Sequence, residues 1–575
     1  MSRISPPAFC DIPIEIFHCQ IFIHFENDYS WVYRVFRLIC KACDRMVTKT
    51  TSYSFGNEFI VYLDNNTIRT RKFVECCEKG YFHHLKALRV CGGQELSQYS
   101  KDMDLVNDDD NDEMDQQDTT RTDRYLNCFP NLQKLELMKR YFDDSIVKGM
   151  AKCQNLNNLT HLNLQYSRIH DHSVQIIASS PLFSNLTFLN LSDTKIGRKS
   201  VKFICSSPYL SKLKDLNLAW CNLGNVVLFE ISQSSHLKNL TSLNLARNNI
   251  SIEGVKCICQ SSNFNNLTCL SLNNNNNSTE GIEYLTCCEN LSNLEEFSVE
   301  TNAKIYLLPM NIIFAIFNGP MKKIKSIRVS PNTYDEFQEF ITCKNITSLK
   351  SLDMGFCRSV SNDFLKLVMN CQKLSQLESL KIGYTNISDY TPLIAIEYMK
   401  NLTLLDVSDL KMNSSNLLAI SKTFPKLKVL NISQTEISFE SVIESLNNFE
   451  CLETLYIQAI DLVSCEKVQQ FACHPAATRL KSLCCTHQHG FISYLFGTFS
   501  KLENLTHLNL RGPCLNLEDV QILTSNPKLA KLSSLFLPGV TEKNLKKQTV
   551  ALLESSPYLR RLNAGDRNHW EGVFY

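Results

Sequence analysis

Apolar residues recur along this chain in the pattern Leu-x-x-Leu-x-Leu, and the first of them marks a register. It falls at Leu132, Leu159, Leu186, Leu213, Leu240, Leu267 and Leu294, six steps of 27 residues. It continues through Ile324, Leu349, Leu377, Leu402, Leu427, Leu452, Leu480, Leu505, Leu532 and Leu559 in steps of 25 to 30. An earlier unit, Leu85-x-x-Leu88-x-Val90, lies 47 residues before Leu132 and brings the count to 18. The last two apolar positions alternate with polar ones, as Leu162 and Leu164 do around Asn163, which predicts a short strand buried on one side. A turn follows, with an apolar anchor such as Ile169, Ile196, Leu223 or Ile250. Val201, Ile204 and Cys205, like Val255, Ile258 and Cys259, then keep the i, i+3, i+4 spacing of a helix face. Ser-Ser-Pro recurs at Ser179-Ser180-Pro181, Ser206-Ser207-Pro208 and Ser555-Ser556-Pro557. Proline bars the residue before it from helical geometry, so it ends the helix and returns the chain to the next strand.

No such unit can bury its apolar face alone, so the units must stack, strand beside parallel strand. A helix in every 25–28 residues resembles the ribonuclease-inhibitor and cysteine-containing subclasses of leucine-rich repeat. The resemblance implies an α/β solenoid, a curved horseshoe with parallel strands on the concave face and helices on the convex face. At about 4.8 Å per strand, the units would line a wall of about 85 Å, a surface suited to another macromolecule.

The first fifty residues do not follow the repeat. They open on Ile12-Pro13-Ile14-Glu15-Ile16-Phe17, where proline suits the first turn of a helix, and close on Val35-Phe36-Arg37-Leu38-Ile39-Cys40-Lys41. This segment resembles an F-box, which opens with a Leu-Pro-x-Glu-Ile-like helix and ends in Val-Cys-Arg-x-Trp. Ile12 and Ile39 are separated by the 27 residues that pattern needs, although Ile12 replaces its leucine and Cys43 stands where its tryptophan lies. The resemblance implies a small helical domain whose Ile12, Pro13, Ile16, Ile39 and Cys40 face the Skp adaptor of a Skp–cullin–F-box ubiquitin ligase. The partners implied are that adaptor, the cullin–RING ligase and a protein substrate held on the repeats. The alternative is a segment that only caps the open end of the solenoid. The chain would then be a stand-alone scaffold or inhibitor, of the ribonuclease-inhibitor or GTPase-regulator kind.

The expected organisation is an F-box-like segment over 1–50, a linker and first repeat over 51–97, and an acidic insertion over 98–121. An array of about 17 repeats over 122–563 and a tail over 564–575 complete it. Residues 102–118 hold nine acidic side chains and no Lys or Arg, a run expected to stay solvated and disordered. Elsewhere charge is balanced. The formal net charge of +1 gives no pull toward nucleic acid or acidic membrane, and no apolar stretch approaches the length that spans a bilayer. The amino terminus lacks a basic start followed by an apolar run, so a cytosolic or nuclear address is expected. The 25 cysteines agree, since many fill apolar slots of the repeat and read as small buried residues rather than a disulfide framework.

Chemistry-bearing motifs are few. Cys40-x-x-Cys43 has metal or redox spacing without a second pair, and reads as structural. The cluster Cys484-Cys485-Thr486-His487-Gln488-His489, with Cys473 and His474 nearby, is the most metal-like, yet Cys485 fills an inward slot of its strand. Asn-Leu-Thr, at Asn158, Asn185, Asn239, Asn266, Asn401 and Asn504, matches a glycosylation sequon but recurs as a repeat position. Asn163, Asn190, Asn217, Asn244, Asn431 and Asn509 read as a hydrogen-bonded ladder on the concave face, and Asn273–Asn277 as a polar loop. There is no phosphate-binding loop, zinc-protease helix or nucleophile elbow, so a nonenzymatic binding protein without a cofactor is expected. Most residues aimed into the concavity are small or amide. The exceptions, Trp220, Arg247, Arg328, Tyr384, Tyr456 and Arg511, are the candidate partner-binding side chains, because aromatic and arginine residues dominate interface energetics.

Overall fold

The computed structural model describes residues 58–63, 87–92 and, apart from short gaps, 131–537, with scattered positions as far as 559. The F-box-like residues Ile12, Pro13, Ile16, Ile39 and Cys40, the acidic run and the tail lie outside the described residues. The chain divides into two compact units, Met1–Asn276 and Asn277–Tyr575.

In the first unit the strands Lys134–Met138, His161–Asn163, Phe188–Asn190, Asp215–Asn217, Ser242–Asn244 and Cys269–Ser271 pair in parallel, each with the next in sequence. Their register sets Leu135, Leu162, Leu189, Leu216, Leu243 and Leu270 side by side, and all six are buried. The residues flanking these leucines are half-buried or exposed, except buried Glu136 and Asn190, which is close to the alternation expected of a sheet with one face on the core. Two longer strands precede them, Ala87–Gly92 and Glu58–Leu63, the second one step ahead of the first unit counted in the sequence. Phe59 and Val61 there register with Leu88 and Val90. In the second unit a nine-stranded parallel sheet runs from Ser326–Arg328 to Ser534–Phe536 in strict sequence order. A helix follows nearly every strand, as in Arg198–Ser206, Ile252–Gln260 and Asn362–Met369. Both units are α/β leucine-rich-repeat solenoids.

The leucine register is the core. The marking residues from Leu132 to Leu559 are all buried, as are the turn anchors Ile169, Ile196, Leu223 and Ile250, each worth about 1.5–3 kcal/mol on removal from water. Val201, Ile204 and Cys205 form the buried face of their helix, and the burial pushes the Cys205 thiol up. In the helix Ile252–Gln260 Val255 and Ile258 are buried, but Cys259 is only half-buried. Cys259 and Cys288 are disulfide-bonded, which departs from the expectation that the cysteines pack as thiols. Free thiols stand at fourteen cysteines, among them buried Cys153, Cys221, Cys343 and Cys357.

Hydrogen bonds between successive repeats close the polar ends of each element. Asp171 accepts from the Gly197 and Ser200 amides at 2.7 and 3.1 Å and so caps the next repeat's helix; Asn225 does the same for Ser251 at 2.8 Å. The other end is closed from the following repeat. Ser207 Oγ donates to Ala178 O at 2.5 Å, Ser234 Oγ to Cys205 O at 2.5 Å and Ser261 Oγ to Ser232 O at 2.7 Å. The Ser-Ser-Pro motif therefore holds two roles. Its serine caps the preceding helix, and Pro181 or Pro208 opens a 3-10 turn, where a missing N–H costs nothing. In Asn-Leu-Thr, Asn185 and Asn239 donate to Asn157 O and Ser211 O at 2.7 and 2.8 Å, while Thr187 and Thr241 reach back to the preceding strand. The tripeptide is a clip between repeats.

One reading of asparagine needs correction. The strand-end residues do not form a ladder: Asn163, Asn217, Asn244 and Asn431 each accept the amide two residues on at 3.1 Å, a turn internal to the repeat. Only Asn190 crosses, donating to Gln165 at 3.3 Å. The ladder lies at Asn248 and Asn275 instead. Asn275, in the tract expected to be loop, is buried and donates to Leu245 O at 2.9 Å and Leu272 O at 3.0 Å, while its Oδ1 accepts from Asn248 N at 2.8 Å. Asn248 repeats this one unit earlier, donating to Leu218 O at 2.8 Å.

Replacing Asn248 by Ala strands those carbonyls in the core and should cost about 1–3 kcal/mol, read as a lowered urea midpoint. A cost near zero would show that the ladder is dispensable. Burial raises the Asp171 pKa, but the bonds from Ser200 and Gly197 outweigh it and leave the carboxyl below its ordinary value of 3.8. Its contribution to stability is thus complete above that value and lost as pH falls through the lowered native one. Asp171→Asn, which keeps the acceptor and removes the titration, should flatten the acid limb of urea midpoint against pH.

Candidate functional site

Ten of the described repeats leave their strand through the same corner. Two residues past the last inward apolar side chain, the backbone turns left-handed at Tyr166, Asp193, Trp220, Arg247 and Asn274 in the first unit, with φ between 52 and 63°. The second unit repeats this at Phe356, Tyr384, Asp409, Gln434 and Ala459, with φ between 51 and 63°. For a residue other than glycine that conformation costs about 1–2 kcal/mol, so something must hold it. The neighbouring repeat does: Trp220 N donates to Ala246 O and Arg247 N to Asn273 O, both at 2.9 Å. Phe356 N donates to Gly383 O at 2.9 Å and Tyr384 N to Ser408 O at 2.8 Å. The corner residue's amide is fixed in the inter-repeat ladder while its side chain leaves the sheet. Trp220 is 54% exposed and Phe356 is 68% exposed.

Three of the six candidate side chains, Trp220, Arg247 and Tyr384, sit at these corners. In the first unit the Arg247 guanidinium carbon lies 3.9 Å from the centroid of the Trp220 ring, a cation–π contact worth about 0.5–1 kcal/mol at an exposed site. Around the row the strand face carries His161, stacked on Phe188 with centroids 5.6 Å apart, and Asp215. Burial pushes the Asp215 carboxyl up, against the Ser242 hydrogen bond and the His161 charge. Burial and the Lys134 charge hold the His161 imidazole below its ordinary value.

In the second unit the structure links Arg328 and Tyr384 through Phe356, which the sequence reading missed. The Phe356 and Tyr384 rings stack with centroids 4.3 Å apart at 8°. Arg328, the last residue of its strand, lies 5.9 Å from the Phe356 centroid, and its Nη2 donates to Gly355 O at 3.2 Å. The Tyr384 hydroxyl donates to Gln434 Oε1, joining corners two repeats apart. Burial, then the Asp409 and Asp406 charges, push the Tyr384 hydroxyl up, and Arg511 opposes them. Arg511 is exposed at the end of the strand His507–Arg511, and its charge acts on Tyr384. Tyr456, half-buried in the strand Thr454–Ile457, is pushed up by burial and then by Cys484 and Asp406. Phe356 was legible: it stands two residues past Met354, as Tyr384 does past Ile382.

The metal-like cluster divides between core and turn. Cys485 is fully buried and its thiol pushed up by burial, as its inward slot required, and Cys484 is buried against Gln458 Nε2. His474 Nδ1 accepts the Ala476 amide at 3.1 Å and caps a turn. His487 and His489, like Cys40 and Cys43, lie outside the described residues.

The fold and the corner row together define a leucine-rich-repeat solenoid, and residues 209–226 and 236–259 match the Leucine Rich repeat family. The chain is similar to an internalin (inlF) from Listeria monocytogenes, 18% identical, over 67% of this chain and 82% of that one, with a TM-score of 0.28. It is also similar to TLR13 in its complex with ssRNA13, 17% identical, over 84% of this chain and 62% of that one, with a TM-score of 0.35. It therefore spans less than two thirds of the TLR13 chain. Among the described residues no helix is long and apolar enough to cross a membrane.

Phe356→Gly tests whether the corner ring is surface or core. Glycine relieves the left-handed strain and loses little buried area, so the urea midpoint should hold or rise. A loss above about 2 kcal/mol would place the ring in the core.

Proposed function

We propose that this chain is a nonenzymatic protein-recognition scaffold that holds a protein substrate against the strand side of its repeats. We propose further that residues 1–50 deliver it to the Skp adaptor of a Skp–cullin–F-box ubiquitin ligase. The observation that carries the first part is the corner row. Left-handed backbone at Trp220, Arg247, Phe356 and Tyr384 is held by inter-repeat bonds, and it displays the side-chain types that anchor protein interfaces on a rigid frame. Such side chains lose little freedom on binding, because stacking has already ordered them.

The second part rests on Ile12-Pro13-x-Glu15-Ile16 and Ile39-Cys40-Lys41 standing directly ahead of a repeat array. In this reading the chain supplies proximity and another subunit the ubiquitin chemistry, in the cytosol or nucleus. The alternative is a scaffold whose first residues dock on nothing. Co-expression with the Skp adaptor decides between them. The wild-type chain should co-purify the adaptor, and Pro13→Glu with Ile16→Glu should reduce that capture at least tenfold while leaving the circular dichroism of the repeats unchanged. Capture that is absent, or untouched by the double substitution, sinks the adaptor role and leaves the scaffold.

A further inference from the structure

The first unit's corner row carries opposite charges on either side of one aromatic ring: Asp193, Trp220 and Arg247 occupy the same position of three successive repeats. The side chains of Asp193 and Arg247 form no hydrogen bond or ion pair among the described residues, so neither charge is neutralised by the fold. Arg247 is ordered all the same, since Trp220 holds its guanidinium at 3.9 Å and leaves the edge of the fork open. A stacked guanidinium with free N–H groups is preorganised for the planar, two-oxygen geometry of a carboxylate.

We propose that these three residues read a charge pair on one extended segment of the protein partner: Lys or Arg against Asp193, an apolar side chain on Trp220, and an Asp or Glu carboxylate on Arg247. This rests on the scaffold reading above and names the chemistry of its partner. The spacing follows from the two lattices. Adjacent corners are one strand apart, about 4.8 Å, so Asp193 and Arg247 are about 10 Å apart; in an extended chain at about 3.3 Å per residue, positions i, i+2 and i+4 share one face and span about 13 Å, a difference that the long side chains at the two ends close. A carboxylate suits the site better than a phosphate. A single arginine balances one negative charge, while Asp193 in the row and Asp215 on the strand face would repel a second. A segment with both charges cancels the field of the row; a uniformly acidic or basic one meets a like charge.

The test is selection of a random twelve-residue phage-displayed peptide library on the full purified chain, with bare resin as the reference. The wild-type pool should enrich a basic and an acidic residue four positions apart with an apolar one midway between them. R247E should lose the acidic preference, and D193K with R247E should reverse the order of the two charges. A selected peptide should bind R247A about tenfold more weakly by fluorescence anisotropy, with W220A weakened in the same direction. Circular dichroism of each variant checks that the corner, which already accommodates Asp, Trp and Arg, still folds. An enriched pool without the charge pair, or one unchanged by R247E, overturns the proposal and leaves the scaffold reading standing. No enrichment over bare resin overturns both.

Discussion

A strand of three residues cannot satisfy its own polar ends. The chain leaves it within a few residues of a leucine core, and each carbonyl and amide turned inward there must find a partner or cost as much as a lost hydrogen bond. The rest of the architecture answers that requirement with groups from the adjoining repeat. Corner amides bond to the next repeat's carbonyls, Asn248 and Asn275 thread the core carbonyls together, and Asp171 and Ser207 close helix ends that belong to other repeats. Leucine burial supplies the drive to stack, but it is non-directional. The polar bookkeeping is what sets the stacking in register.

The same requirement shapes the surface offered to a partner. Fixing the corner amide in the ladder forces left-handed backbone on whatever residue sits there, and its side chain then leaves the sheet regardless of type. Ordinary folds reserve such positions for glycine or asparagine. Here they hold tryptophan, phenylalanine, tyrosine and arginine, each steadied by its counterpart one repeat away. The choice of corner side chain is thereby separated from folding, because the corner backbone is held by main-chain bonds that do not depend on it.

Much of this was readable from residues alone. The leucine register gave strand position correctly from Leu132 to Leu532 and buried positions as far as Leu559, since a buried apolar side chain leaves a periodic mark. The same counting identified Trp220, Arg247 and Tyr384 as outward-facing. It missed Phe356, although Leu352-x-Met354-Gly355-Phe356 keeps the pattern of Leu380-x-Ile382-Gly383-Tyr384 with methionine in the inward slot. The asparagines misled for a different reason. One side chain can accept locally or donate across repeats, and composition does not distinguish the two; Asn163 turned out to do the first and Asn275 the second. The strand Glu58–Leu63 escaped because it has no leading Leu-x-x-Leu, only the alternation Phe59, Val61, Leu63.

The borrowed helix caps have a consequence for how such a chain can change in length. Asp171 accepts from an amide 26 residues later, and Ser207 donates to a carbonyl 29 residues earlier, so these repeats both lend and receive caps about one period away. A duplicated stretch of one full period inherits both sockets and both plugs, wherever its ends fall within the repeat. A stretch of any other length leaves an uncapped helix on each side of the join. Gene duplication can therefore lengthen the array only in whole quanta, and the quantum is set by hydrogen bonding rather than by the leucines that make the repeat visible.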